Sequence, residues 1–147
     1  MKVIIEQSVD QKEVEIIIRC NYLDESLQEL VNQIRAHGQT ITCRENRLTY
    51  TIPAEQIFYF ETVDDKLFAY CQDEIHECKS KLHEVEVKLK DLRFIRISKS
   101  SILNLNYLMR VKPLLNGKYE ATLLNGEKLI ISRNYVPNVK KKMGIDQ

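Results

Sequence analysis

Residues 94–104, Phe94-Ile95-Arg96-Ile97-Ser98-Lys99-Ser100-Ser101-Ile102-Leu103-Asn104, set a guanidinium, an ammonium and three hydroxyls in an apolar, strand-like stretch. Such groups suit hydrogen bonding to phosphate oxygens and to base edges. They lie in a basic half of the chain. Residues 88–147 hold 13 Lys+Arg against 4 Asp+Glu, a balance of +9, whereas residues 1–87 hold 9 against 17, a balance of −8. The whole-chain value of +1 hides this division. A basic half carrying Ser, Lys and Arg between apolar residues points to an anion-binding face, and nucleic acid is the large anion it suits best.

Other residue sets carry less chemistry. His37, His76 and His83 fall in different expected elements, and none has a nucleophile's setting. Glu61, Asp64 and Asp65 read as a solvated turn. None of the four glycines forms a dinucleotide or phosphate loop. Cys20, Cys43, Cys71 and Cys78 contain no CxxC pair, and Cys71, His76 and Cys78 fall short of the paired spacing of a zinc site. The expectation is a non-enzyme with reduced thiols, no cofactor and no metal. Helix-turn-helix, zinc-finger, basic-zipper and RNA-recognition patterns are absent too. Binding must then come from loops and strand ends of a β scaffold.

At 147 residues the chain suits one domain with a small extension. No run approaches about 18 apolar residues, and charge interrupts the first residues too early for a signal peptide. A cytoplasmic protein is the expectation.

The elements that position these groups follow from periodicity. Val3-Ile4-Ile5 and Val14 to Ile18 read as strands. Asp24 suits a helix cap before Leu27, Leu30, Val31 and Ile34, and His37-Gly38 ends that helix. Gln39 to Arg44 and Leu48 to Ile52 read as strands. Residues 1–46 are thus expected to form a small acidic α/β extension, strand-strand-helix-strand. Beyond Pro53 the pattern is mainly β. Strands are expected at Ile57 to Glu61, Lys66 to Cys71, Glu74 to Lys79, 94–98 and 106–112, with Ser80 capping a helix that carries Leu82, Val85 and Leu89. Tyr119 to Leu124 and Glu127 to Ser132 flank Asn125-Gly126, which suits a type I′ turn. That turn pairs Leu124 with Glu127 and sets Lys118 opposite Arg133, a like-charge pair that an anion between them would relieve. A helix is expected from Pro137 to Met143, with Lys140, Lys141 and Lys142 near its C-terminal end.

Residues from about 50 to 143 resemble the LytTR (LytR/AlgR-type) DNA-binding domain. The matching pieces are Ile57-Phe58-Tyr59-Phe60-Glu61, Asp64-Asp65-Lys66, Phe94-x-Arg96-Ile97-Ser98-Lys99-Ser100 with Asn104, Asn116-Gly117-Lys118-Tyr119-Glu120, Leu124-Asn125-Gly126-Glu127 and Ile131-Ser132-Arg133-Asn134-Tyr135. The resemblance implies an elongated, mainly β (α+β overall) arrangement of small, mostly antiparallel sheets with one or two helices in residues 47–147. It implies loops from one side entering successive major grooves of double-stranded DNA. Three sites are then expected to reach DNA: Asp64-Asp65-Lys66, Ser98-Lys99-Ser100 and Ser132-Arg133-Asn134. Lys99 and Arg133 are the expected base contacts, with Lys66, Ser98, Ser100, Lys118 and Asn134 in support. Arg96 reads as an internal hydrogen-bonding residue, Asn104 as a brace, and Tyr59 and Phe60 as core. Many such regulators carry a receiver domain. The short acidic extension here implies a stand-alone, response-regulator-like form. Its expected role is homodimerisation or docking of a regulatory protein, for which a membrane protein is a precedent. The runner-up is a protein-interaction module or an RNA-binding protein using the basic half.

Overall fold

In the computed structural model, residues 1–145 are described. Among the described residues, ten strands and three α-helices form, the strands in two antiparallel sheets. The helices are α1 (Glu25–Ala36), α2 (Leu82–Lys88) and α3 (Val136–Met143). The large sheet has β1 (Thr40–Glu45), β2 (Leu48–Pro53), β3 (Tyr59–Val63), β4 (Lys66–Tyr70), β5 (Ile75–Cys78), β6 (Phe94–Arg96) and β7 (Ser101–Asn104). Its order is β2-β1-β5-β4-β3-β7-β6. The small sheet holds β8 (Leu108–Pro113), β9 (Tyr119–Leu123) and β10 (Lys128–Ile131) in the order β10-β9-β8.

Each sheet owns a core. Ile41, Ile52, Phe60, Leu67, Val85, Leu89 and Ile102 pack with α2 over the large sheet. Tyr59, Ile95, Ile97, Leu103, Leu123, Ile131 and Val139 fill the second core, between the sheets and α3. Adjacent residues of one strand therefore serve different cores, as Tyr59 and Phe60 do, because strand side chains alternate in direction. The chain is mainly β, as its patterning implied.

Most elements fall where the sequence placed them. Asp24 caps α1, its carboxylate accepting from the Leu27 amide at 2.8 Å, and Gly38 follows at φ +84°. The β3–β4 hairpin turns on Asp64 (φ +52°) and Asp65 (φ +63°), with Val63 paired to Lys66. Aspartate tolerates this left-handed region better than most residues, which accounts for the acid pair.

Four readings need correction. Residues 3–5 and 14–18 join no strand; they lie exposed. Of the expected strand-strand-helix-strand extension, the helix and the last strand form. That strand, β1, pairs with both β2 and β5. Helix α2 is capped at Lys81, one residue past Ser80, with Glu84 accepting from the Lys81 amide at 2.8 Å. Between the strands expected at 94–98 and 106–112 lies a further one, β7, buried throughout between β3 and β6.

The fourth correction concerns register. Ile131 pairs with Tyr119 and Lys128 with Thr122. Continued outward, that ladder sets Lys118 opposite Ser132 and Gly117 opposite Arg133, one residue away from the expected Lys118–Arg133 pair. The turn is the cause. Gly126 donates to the Leu123 carbonyl at 2.9 Å, and Leu123 donates to the Glu127 carbonyl at 2.8 Å. Only Gly126 has positive φ (+90°), and the Asn125 side chain accepts from the Glu127 amide at 3.0 Å. This is a three-residue loop, a type I turn closed by a left-handed glycine, not a two-residue type I′ turn.

Candidate nucleic-acid interface

Four connections end up side by side at one end of the two sheets. The pairing of Glu61 with Ser101 runs β3 and β7 together, and beyond it Thr62 donates to the Ser100 carbonyl at 2.8 Å. The Asp64-Asp65-Lys66 turn thus emerges next to the 98–100 loop. On the loop's other flank, Ser132 donates to the Ile97 carbonyl at 2.9 Å. This bond joins the small sheet to the large one and sets Arg133 beside Ser98. Finally, Gly117 lies under Arg133: a Cβ on it would sit 3.0 Å from both Cγ and Cδ of the arginine. The Asn116-Gly117-Lys118 turn, with Asn116 at φ +68° and Gly117 at φ +76°, therefore carries Lys118 to the same end.

The expected site residues differ in exposure. Lys66, Lys99, Lys118, Arg133 and Asn134 are exposed, while Ser98 and Ser100 are half-buried. Among the described residues, the cations of Lys66, Lys99, Lys118 and Arg133 make no ion pair with a carboxylate. The serines are partly engaged. Ser98 Oγ accepts from the Ser100 amide at 3.1 Å and lies 3.3 Å from Ser100 Oγ. Each hydroxyl keeps capacity for a phosphate oxygen.

Arg96 holds this loop in shape. Its Nε donates to the Ser98 carbonyl at 2.7 Å, one terminal nitrogen to the Lys99 carbonyl at 2.5 Å, and the other to Glu86 of α2 at 2.7 Å. All three nitrogens are used within the protein. A planar fork with donors on three nitrogens reaches acceptors set apart from one another, which the single nitrogen of an ammonium cannot span. Glu86 carries no sequence signal for this role; its pattern marks only an exposed helix face.

Deeper bracing comes from Asn104, which is 1% exposed. Its amide donates to the Ile57 carbonyl at 2.9 Å and its oxygen accepts from the Asn106 amide at 3.0 Å. Tyr59 stacks on Tyr70 at 4.3 Å, and its hydroxyl donates to Glu127 at 3.4 Å, tying the large sheet to the β9–β10 loop. Burial, with the Glu127 charge beside it, raises the Tyr59 hydroxyl well above its ordinary pKa. Helix α3 seats Val136 and Val139 in the second core and rests Lys140 5.2 Å from the Tyr119 ring centre, fixing the segment after Arg133.

Elsewhere the chemistry is sparse. No group of three or more His, Cys, Asp or Glu gathers to hold a metal ion among the described residues. No helix among them is long and apolar enough to cross a membrane. Burial raises the Cys43 and Cys78 thiols, and that of Cys71 to about 11.

Comparison with known proteins gives the fold a family. Residues 47–144 match the LytTr DNA-binding domain. A solved LytTr DNA-binding domain of a Bacillus cereus response regulator superposes with a TM-score of 0.66 at 26% identity, covering 71% of this chain and 96% of that one. Sensory transduction protein LytT of Enterococcus faecalis is 29% identical over 69% of this chain and 41% of its own length, and LytT of Bacillus cereus is 31% identical over 62% and 37%. The chain thus spans about two fifths of the length of these LytT proteins. An uncharacterized HTH-type transcriptional regulator of Staphylococcus aureus is 23% identical over 94% of this chain and 95% of its own length. The family match takes in every strand except β1 and all four converging connections, and the chain belongs to the LytTR DNA-binding domain family.

Proposed function

We propose that this chain is a sequence-specific transcription regulator that binds promoter DNA through the end of the sheets where its four connections meet. Lys99 and Arg133 read base edges. Arg133 can engage guanine O6 and N7 with two parallel hydrogen bonds, and Lys99 reaches the same edge from the neighbouring loop. Lys66, Ser98, Ser100, Lys118 and Asn134 contact phosphates and fix the register. The protein acts in the cytoplasm as a homodimer on repeated half-sites and performs no catalysis. Residues 1–46 serve dimerisation or a regulatory protein partner, a membrane protein included.

The observation that carries this reading is the pair of bonds Thr62–Ser100 and Ser132–Ile97, which gather exposed, unpaired cations from separate loops onto one edge. The relatives, with a LytTr DNA-binding domain and an HTH-type transcriptional regulator among them, support it. Selection of bound sequences from a random duplex pool tests it, with the Lys99→Ala/Arg133→Ala variant beside the wild type. A repeated motif, lost in the variant, is expected. Equal recovery of all sequences by both proteins would shift the reading to a protein or RNA partner.

A further inference from the structure

Residues 1–23 pose a problem that the described chain leaves unsolved. Val3, Ile4, Ile5, Val14, Ile16 and Ile17 are all more than 60% exposed. These are β-branched side chains in two runs, separated by a turn in which Gln11 donates to the Ser8 carbonyl at 3.2 Å. The second run, Glu13-Val14-Glu15-Ile16-Ile17-Ile18-Arg19, leads through a few residues into α1, which buries no residue fully. Exposed runs of this composition are templates for strand pairing with another chain.

The order of charges in the run says which chain. In an antiparallel pair of two copies related by a twofold axis, residue i of one copy faces residue j of the other, with i and j summing to a constant. A constant of 32, centred on Ile16, sets Glu13 opposite the partner copy's Arg19 twice and Val14 opposite Ile18 twice. A constant of 34, centred on Ile17, sets Glu15 opposite Arg19 twice and Ile16 opposite Ile18 twice. Both keep Val14, Ile16 and Ile18 of the two copies on one apolar face. A constant of 30 sets Glu15 against Glu15, and odd constants mix the apolar face with the charged one. The run is complementary to itself in the two registers that satisfy Arg19.

We propose that residues 13–19 pair antiparallel with the same residues of a second copy, forming the dimer contact of the regulator. This deepens the homodimer reading given above and rests on it. Pairing two copies also supplies ladder partners to a stretch that joins no strand among the described residues.

Sedimentation velocity on the full chain without DNA, from about 1 to 100 µM, tests the proposal. Wild type is expected to move from monomer to dimer across that range. Ile16→Asp and Arg19→Glu should each weaken dimerisation about tenfold or more. The triple variant Glu13→Arg/Glu15→Arg/Arg19→Glu restores opposite charges in both registers and should recover most of the loss. In a Cys20→Ser background, Ile16→Cys or Ile17→Cys should form a disulfide-linked dimer. Circular dichroism verifies that each variant is folded. A wild type that stays monomeric throughout, or a dimer that Ile16→Asp leaves intact, or a triple variant no better than Arg19→Glu, would overturn it. Because no DNA is present, these outcomes are separate from failure of the DNA-binding reading.

Discussion

Replacing Arg96 tests whether the 98–100 loop works through its shape. The guanidinium holds the carbonyls of Ser98 and Lys99 and the carboxylate of Glu86, with only 19% of the arginine side chain exposed. Arg96→Ala removes all three bonds. The two carbonyls lie in a loop and can turn to water, so each lost bond costs its net value of about 1 kcal/mol. The Glu86 carboxylate is 44% exposed and contributes little as an ion pair. The sum is about 2–3 kcal/mol in urea unfolding, with m unchanged. Affinity for the selected duplex should fall about tenfold or more, because Ser98, Lys99 and Ser100 lose their common frame. Arg96→Lys is the informative variant. It keeps the charge, yet its ammonium cannot reach three divergent acceptors, so it should recover no more than about 1 kcal/mol. Urea midpoints and fluorescence anisotropy on matched and scrambled duplexes read both effects. If Arg96→Lys matches wild type in stability and affinity, charge alone suffices and the positioning argument is wrong.

Four further outcomes follow from other contacts. Gly117→Ala and Gly126→Ala both strain a positive φ, at about 1–2 kcal/mol each in thermal or urea unfolding. Only Gly117→Ala also pushes on Arg133, so it alone should weaken discrimination between matched and scrambled duplex. Asn104→Leu leaves the Ile57 carbonyl and the Asn106 amide without their partner and should cost about 2–4 kcal/mol by urea titration, the loss spreading to both sheets. A thiol reagent near pH 8 should modify Cys20 first, since it is exposed while Cys43 and Cys78 are buried with raised thiol pKa values; mass spectrometry of the quenched protein checks the order. Those buried thiols and the Tyr59 hydroxyl stay protonated in the folded chain, so the stability they contribute is whole below about pH 8.5. It should fall as pH rises beyond the values of the unfolded groups, as urea midpoints between pH 7 and 10 would record.

The sequence revealed what local chemistry decides. Asp24 as a cap, the Asp64-Asp65 turn, the helix before Met143 and the charge asymmetry are all set by residues close in the chain. Contacts between distant segments were hidden. β7 escaped notice because two of its four residues, Ser101 and Asn104, are polar, and their partners lie more than 35 residues away at Glu61 and Ile57. The β9–β10 register depended on the backbone that Leu124 and Asn125 adopt, since Asn-Gly fits a left-handed pair and a closing glycine equally. The runs at 3–5 and 14–18 have strand composition, but strand formation needs a partner edge, and among the described residues they pair with none. The candidate residues could be named from the family motifs. Their convergence rests on the Ser132–Ile97 and Thr62–Ser100 backbone bonds, which no residue type announces.

In the proposed complex, one end of the two sheets meets DNA. Amide chemical-shift mapping with the selected duplex addresses it most directly. The largest shifts should fall at residues 64–66, 97–100, 116–118 and 132–134, and Lys99→Ala/Arg133→Ala should abolish them for the matched duplex. Shifts centred on α1, on β2 or on the exposed face of β8 would contradict the account.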